Sequence, residues 1–96
     1  MIALVAVLKI KEGMEEKVAY AVLKMAEAVS RHEKDCLFYE PYMPVEGTGE
    51  VYILEKYTTA EALELHRQTT HYLEFRDTVK DALKEAPQVK VLKPVG

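Results

Sequence analysis

The opening segment, IALVAVLKI from Ile2 to Ile10, constrains the fold more than any other part of the chain. Val, Ile and Leu fill both alternating sets of positions, a pattern typical of a β-strand that is covered on its two faces. A strand with one face in water would alternate apolar with polar residues. The sequence therefore predicts a sheet with protein on both sides.

A helical stripe follows this strand. Gly13 ends the strand, and apolar residues then recur at spacings of three and four, at Met14, Val18, Val22, Met25 and Val29. This spacing predicts a helix from Met14 to His32, with the stripe packed on the sheet.

Two aromatic-rich segments then predict a hairpin. They run from Cys36 to Met43 and from Glu50 to Thr58, and the loop at 44–49 contains Pro and Gly. Next, Thr58-Thr59-Ala60-Glu61 fits a capping box, which predicts a short helix that carries His66.

The last part of the chain predicts a second helix and a fourth strand. Thr69 or Thr70 supplies the N-cap, and apolar residues at helical spacing follow until Pro87 stops the helix, at Tyr72, Phe75, Val79 and Leu83. Gln88 to Val95 forms the strand. The resulting order predicts an α+β fold, the ferredoxin-like split β-α-β with a four-stranded antiparallel sheet, in a single domain of residues 1–96.

One face of this sheet is left without a cover. Helices cover only one face, yet large side chains of the hairpin occupy both, at Phe38, Tyr39, Tyr42, Tyr52, Leu54 and Tyr57. The most economical cover is the same face of a second copy. We therefore expect a homodimer whose two sheets form a barrel.

Composition excludes several classes of partner. The net charge is -3 and the charges are interspersed, which argues against a nucleic-acid partner. The apolar run from Ile2 to Leu8 is too short for a membrane span and follows no cationic leader, so a cytoplasmic location without a membrane partner is expected. A lone Cys36 and three histidines without metal-ligand spacing indicate no disulfide and no metal site.

Five segments in this order carry a family likeness over nearly the whole chain: KIKEGMEEK, CLFYE, LEKYTTAEALELH, HYLEF and VKVLKP. Together they resemble the antibiotic biosynthesis monooxygenase family. The resemblance implies a dimeric α+β barrel with a pocket between sheet and helices in each subunit. Known members oxidise quinols or anthrone-like polyketides with O2 and no cofactor, isomerise a phosphorylated autoinducer, or degrade heme.

Departures from the family pattern narrow these activities. The heme-degrading branch uses an Asn, a Trp and a His, whereas this chain has no Asn or Trp and has Arg76 where that His is expected. Heme is therefore not an expected ligand, and no cofactor is predicted. The family's usual Trp is Tyr57 here and its usual Pro is Thr70, which leaves the substrate open.

Three residues are the candidate catalytic groups. His66, on a short partly apolar helix, could take a proton from a phenolic substrate, or could be a packing residue satisfied by a partner. Glu55 could orient His66 if its strand face is interior, or form a salt bridge across the dimer. Tyr57 could hold a substrate oxygen or merely cap the core with its hydroxyl.

Four further residues are candidate substrate contacts. His71 lies in the first turn of its helix, where free amides favour an anion, although an exposed polar residue is the plainer interpretation. Tyr39, Tyr72 and Phe75 could be apolar walls of a pocket or plain core. Cys36 is expected to be a small buried hydrophobe and not a nucleophile.

These features support three functional hypotheses. The first is a cofactor-free monooxygenase that oxidises a small phenolic, quinol or polyketide-like aromatic substrate with O2, with His66 as base. The second is an isomerase or lyase that acts on a small phosphorylated carbonyl compound, with His71 and Lys56 or Arg67 near the phosphate. The third is a ligand-binding dimer without catalysis.

Overall fold

An antiparallel sheet with helices on one face is the framework of the chain. The computed structural model describes residues 1–47 and 49–96. The elements in chain order are β1 (Ile2–Lys9), α1 (Glu15–His32), β2 (Cys36–Tyr42), β3 (Glu50–Tyr57), α2 (Ala60–His66), α3 (Thr70–Val79) and β4 (Gln88–Leu92). The strand order is β2-β3-β1-β4. This is the predicted ferredoxin-like α+β arrangement.

Most element boundaries lie within a residue or two of the predicted ones. Helix α1 begins one residue later, because Met14 is its N-cap. Strands β2 and β3 are each one residue shorter than predicted, and β4 ends at Leu92 and not at Val95. Position 48, within the predicted loop at 44–49, lies outside the described residues.

The end of α3 differs from the prediction that helical spacing continues to Leu83. The α-helix ends at Val79, one turn of 3-10 helix follows at Lys80–Ala82, and Leu83 forms an isolated β-bridge with Ile10. Backbone hydrogen bonds from Lys11 to Ala82 and from Lys84 to Lys9, both under 3 Å, hold this bridge. Leu83 is buried in an extended segment and not on a helix.

The N-cap of α2 lies one residue beyond the predicted capping box. Thr59 is extended, at φ -143° and ψ 164°, and its hydroxyl accepts the Ala62 amide at 3.1 Å. The prediction that Thr58 and Glu61 form the box is therefore wrong, because the helix begins at Ala60. For α3, Thr69 is the N-cap of the two predicted alternatives.

The sheet face under the helices forms the core. Alternate residues of β1 and β3 point to the helices and are at most 7% exposed: Leu4, Ala6, Leu8, Val51, Ile53, Glu55 and Tyr57. The predicted stripe of α1 packs toward this face, with Val18, Val22, Met25 and Val29 at most 2% exposed. Each large aliphatic side chain buried in this way stabilises the fold by roughly 1.5–3 kcal/mol.

The other sheet face carries no helix and remains apolar. Val5 pairs with Leu54, and Val7 with Tyr52, so these side chains project together from the face opposite the helices. Tyr42 of β2 pairs with Tyr52 on the same side. We call this the open face; the predicted cover of this face stays a prediction, because the single chain leaves it without one.

Candidate active site

His66 is a buried histidine at the junction of α2 and the sheet. It is the last residue of α2, as predicted for the short helix, and only 3% of it is exposed. Three tyrosine rings surround it, with centroid distances of 5.8 Å to Tyr39, 5.3 Å to Tyr57 and 5.3 Å to Tyr72. A charged imidazole is costly in such surroundings.

Glu33 is the residue that holds His66 in place. One carboxylate oxygen lies 2.8 Å and the other 3.0 Å from His66 Nδ1. Glu33 is the C-cap of α1, and its own amide donates to the Val29 carbonyl at 2.9 Å. Its carbonyl accepts the Cys36 amide at 3.2 Å, so the turn into β2 fixes the backbone that carries this carboxylate.

This contact assigns the tautomer of His66. An ionised carboxylate only accepts hydrogen bonds, so Nδ1 carries the hydrogen and the Nε2 lone pair of the neutral ring is free. Nε2 points away from Glu33 and toward Glu55, whose Oε1 lies 3.8 Å from it. A free Nε2 on an oriented imidazole is the arrangement that a general base requires.

Glu55 faces the helices and is itself buried. It is 6% exposed, and the Tyr57 hydroxyl donates to its Oε1 at 2.6 Å. Its predicted partner was His66, but 3.8 Å between Nε2 and Oε1 is too long for a hydrogen bond. Burial raises the pKa of Glu55 to about 7, against the hydrogen bond from Tyr57, which lowers it.

Burial and the two carboxylates also shift other titrations at the site. Burial lowers the pKa of His66, and the Glu33 carboxylate opposes this shift. Burial and Glu55 raise the pKa values of Tyr39 and Tyr57 well above the ordinary value, so both rings stay neutral. The pKa of Cys36 rises to about 11 through burial, which agrees with its predicted inertness as a nucleophile.

A small cavity lies between the sheet and α2 and α3, and His66 is on its wall. Its volume is about 80 Å³, and its walls include Glu55, His66 and Arg67. The three predicted apolar wall residues, Tyr39, Tyr72 and Phe75, line it together. Tyr57 and His71 do not line it. Their position relative to this cavity therefore does not support the prediction that they contact the substrate directly.

Arg67 is the cation of this cavity. It caps the C-terminal end of α2, its side chain is 38% exposed, and its Nη1 lies 3.5 Å from a Glu64 oxygen. Its positive charge lowers the pKa values of both Glu55 and His66. Among the described residues that line the cavity, it is the one that carries a positive charge at every ordinary pH.

His71 lies on the far side of Glu33 from the cavity. It is in the first turn of α3, as predicted, and its Nε2 lies 2.5 Å from Glu33 Oε2. Its ring stacks at 6.0 Å on exposed His32. A solvent-facing hollow of about 330 Å³ is lined by Glu33, His66 and Thr69. His66 therefore lies between this hollow and the cavity, because it lines both.

Thr69 joins the two helices that carry these side chains. Its hydroxyl donates to the His66 carbonyl at 2.8 Å and accepts the Tyr72 amide at 3.1 Å. One side chain thus closes α2 and caps α3, because both bonds use the same oxygen. The edge-on contact between His66 and Tyr72 follows from this junction.

Glu33 is the residue of this site that the sequence interpretation missed. It follows the last turn of α1, at the negative end of the helix dipole, where an acidic side chain is unfavourable. An acid in such a position is a weak sign of a tertiary partner. Its two partners are 33 and 38 residues away in the chain, which no local spacing reveals.

In residues 1–47 and 49–96, no three His, Cys, Asp or Glu side chains are grouped so that they could hold a metal ion. Over the same residues, none of the helices has the length and apolar character that crossing a membrane requires.

The sheet, the helices on one face and the enclosed histidine define a ferredoxin-like α+β protein with a pocket between its layers. The model of the antibiotic biosynthesis monooxygenase family matches residues 1–78. The chain belongs to this family. The match covers every element that carries a site residue named above and ends before β4.

Individual relatives agree with this assignment. Rv0793 of Mycobacterium tuberculosis, named "Putative monooxygenase", is 35% identical over 75 residues, which are 78% of this chain and 73% of that protein. Its structure superposes with a TM-score of 0.91 at 27% identity and covers 99% of this chain and 95% of that one. A Nitrosomonas europaea protein described as a "Putative antibiotic biosynthesis monooxygenase" shares the fold over 100% of both chains, with a TM-score of 0.94 at 22% identity.

Proposed function

We propose that this protein is a cofactor-independent monooxygenase that oxidises a small phenolic, quinol or polyketide-like aromatic substrate with O2. The observation that carries the proposal is the orientation of His66. Glu33 binds its Nδ1 at 2.8 Å, while Nε2 points toward Glu55, and both His66 and Glu55 line a cavity walled by Tyr39, Tyr72 and Phe75. A base beside an aromatic-walled cavity suits the removal of a phenolic proton.

The chemistry needs little more from the protein than this base. His66 Nε2 takes the phenolic proton, and the electron-rich anion then transfers an electron to O2 and combines with the reduced oxygen at a ring carbon. One oxygen atom stays on the ring, and the other leaves as water with two hydrogens from the substrate. The His66 imidazolium that forms is paired with Glu33, so no unpaired charge is buried.

Glu55 is suited to a second proton transfer. Its pKa of about 7 means that both of its forms are populated near neutral pH. In its acid form it would deliver a proton to the departing oxygen, and Tyr57 would hold it in position through the 2.6 Å hydrogen bond. This division of roles differs from the sequence interpretation, in which Glu55 orients His66 and Tyr57 holds the substrate oxygen.

A second candidate function follows from Arg67. An isomerase or lyase for a small phosphorylated carbonyl compound needs the same proton shuttle and a cation for the phosphate. Arg67 is on the cavity wall, and among the described residues its guanidinium group bonds only to the exposed Glu64. This reaction needs no oxygen, so an anaerobic assay separates the two functions.

The test measures turnover by a His66 variant in air and by the wild-type protein with and without O2. With a panel of quinols and anthrone-like phenols in air, His66→Ala is expected to lower kcat about 10²- to 10⁴-fold, which is the usual contribution of a general base. Lys17→Gln, at an exposed position in the first turn of α1, is the control and keeps full activity. Product formation by the wild-type protein without O2 would reject the monooxygenase. Binding without turnover in either gas would support a non-catalytic ligand-binding dimer.

We also propose that the protein is a homodimer closed by the two open faces. Phe38, Tyr42 and Tyr52 are 36–51% exposed on this face of one chain, beside Val5, Val7 and Leu54. An apolar sheet face of this kind is an association surface, and a twofold axis covers both copies at once. Light scattering during gel filtration is expected to give the mass of two chains; a stable monomer at micromolar concentration would reject the proposal.

A further inference from the structure

Glu33 is shared by two histidines that lie on opposite sides of it. One oxygen lies 2.8 Å from Nδ1 of His66, and the other lies 2.5 Å from Nε2 of His71. His66 is 3% exposed and His71 is 19% exposed by side chain, with Glu33 at 10% between them. A buried histidine is thus linked to a solvent-accessible one through a single carboxylate.

We propose that His71 is a positioning residue that acts on His66 through Glu33, so that a proton on His71 makes His66 a weaker base. The inference deepens the proposed function and rests on it, because it takes His66 to be the base of the reaction. Through this link the basicity of the enclosed His66 would depend on the protonation of the more exposed His71, and so on the pH of the solvent.

The physical reason is the charge on one carboxylate. It can neutralise one imidazolium, so a second imidazolium on its other oxygen would leave a net positive charge in a nearly dry site. Two titrating groups that share a partner in this way bind their protons as a coupled pair. The charges act in this sense on the pKa of His66, which the Glu33 carboxylate raises and a positive His71 lowers.

The other charged and titratable groups around the pair do not replace this link. Glu55 and Tyr57 on β3, Tyr39 on β2, Arg67 after α2 and Tyr72 on α3 face His66. His32 at the end of α1 stacks on His71. None of these groups bonds to both imidazoles; among the described residues, Glu33 is the one that does.

The first measurement is an NMR titration of the histidine rings, which needs no substrate. In His71→Gln, whose amide keeps a hydrogen-bond donor to Glu33 without a charge, the midpoint of His66 is expected to move to higher pH. In Glu33→Gln it is expected to move to lower pH, because the compensating charge is lost. Lys17→Gln, which removes an exposed charge at the opposite end of α1 from Glu33, is the control and leaves the midpoint of His66 in place.

An unchanged His66 midpoint in His71→Gln would overturn the inference. If this variant fails to fold, as judged by circular dichroism, His71→Asn provides the same loss of charge with a shorter amide. In the wild-type protein the coupled pair is expected to titrate in two steps, and the step of His66 becomes single in the His71 variant.

The second measurement separates the inference from the proposed function. The acid limb of the pH profile of kcat/KM reports the base of the free enzyme, so it is expected to move upward in His71→Gln by the same amount as the NMR midpoint of His66. If the NMR midpoint moves and the acid limb does not, His66 is not the base; the proposed function then fails, while the coupling through Glu33 stands. If the NMR midpoint and the acid limb both move upward, the coupling through Glu33 and the proposed function are both supported.

Discussion

The two faces of the sheet carry similar apolar side chains but have different surroundings. Ile53 and Leu54 are neighbours on β3; Ile53 is 2% exposed under the helices, whereas Leu54 projects from the open face beside Val5. The charged residues differ in the same way. Glu55 is buried with Tyr57 as its donor, whereas Glu40 and Lys56 on the open face retain contact with water.

This difference explains why the buried titratable groups lie on the face under the helices. A buried acid with a pKa near 7 and a neutral histidine both require the exclusion of water, which only the helices provide in one chain. The open face has the apolar area but no enclosed polar group. Its side chains are therefore suited to association, while those under the helices are suited to proton transfer.

The largest expected effect compares Ile53→Ala with Leu54→Ala. Ile53→Ala removes fully packed methyl groups and is expected to lower the free energy of unfolding by about 2–5 kcal/mol. Leu54→Ala acts on the proposed dimer contact, so its cost is expected to depend on protein concentration. Urea unfolding at two concentrations measures both. A cost for Leu54→Ala that is small and the same at both concentrations would contradict a dimer through the open face.

The second prediction concerns the buried acid and pH. The folded pKa of Glu55, about 7, lies above its ordinary value of 4.5, so its contribution to stability is fully present below pH 4.5 and is lost as pH rises through 7. The difference corresponds to at most about 3 kcal/mol. Glu55→Gln cannot ionise, so relative to wild type it is expected to gain stability between pH 5 and pH 8.

The control for this prediction is Glu12→Gln, in the turn between β1 and α1 and away from the open face. Glu12 is exposed, so the replacement is expected to change stability by less than about 0.5 kcal/mol at either pH. Urea unfolding of the three proteins at pH 5 and pH 8 is the measurement. A stability difference between Glu55→Gln and wild type that is the same at both pH values would mean that Glu55 titrates normally.

The smallest effect concerns the helix that covers His66. Thr59→Ala removes the oxygen that accepts the Ala62 amide and is expected to cost about 1 kcal/mol. Thr58→Ala, one residue earlier, is the matched control and is expected to be nearly neutral, since its side chain does not cap α2. Thermal unfolding of both variants distinguishes them. An equal loss of stability in the two variants would contradict Thr59 as the N-cap and favour the capping box that the sequence predicts at Thr58.

Much of the fold could be read from local patterns. The doubly apolar β1, the stripe of α1 and the order of the elements follow from hydrophobic spacing, which depends on a few consecutive residues. Leu83 shows the limit of this method. Its spacing continues the pattern of α3, but pairing with Ile10 gives it an extended backbone, and this partner is far away in the chain.

The candidate site was predictable in part for the same reason. The position of His66 on α2 follows from local periodicity, and Tyr39, Tyr72 and Phe75 do line a cavity with it. The sequence left open whether Glu55 points inward or toward a second copy. The hydrogen-bond partners of these side chains could not be predicted from local periodicity. Sequence reasoning paired His66 with Glu55, whereas the structure pairs His66 with Glu33 and Glu55 with Tyr57.

The sequence by itself determined that this chain forms a sheet with two apolar faces and carries a histidine on a short helix above it, because period and capping are properties of neighbouring residues. Only the tertiary structure decided which carboxylate meets which nitrogen. Distances near 3 Å between residues more than 30 positions apart depend on how α1, α2 and α3 pack on the sheet. That packing frees Nε2 of His66 toward the cavity and joins its other nitrogen, through Glu33, to His71.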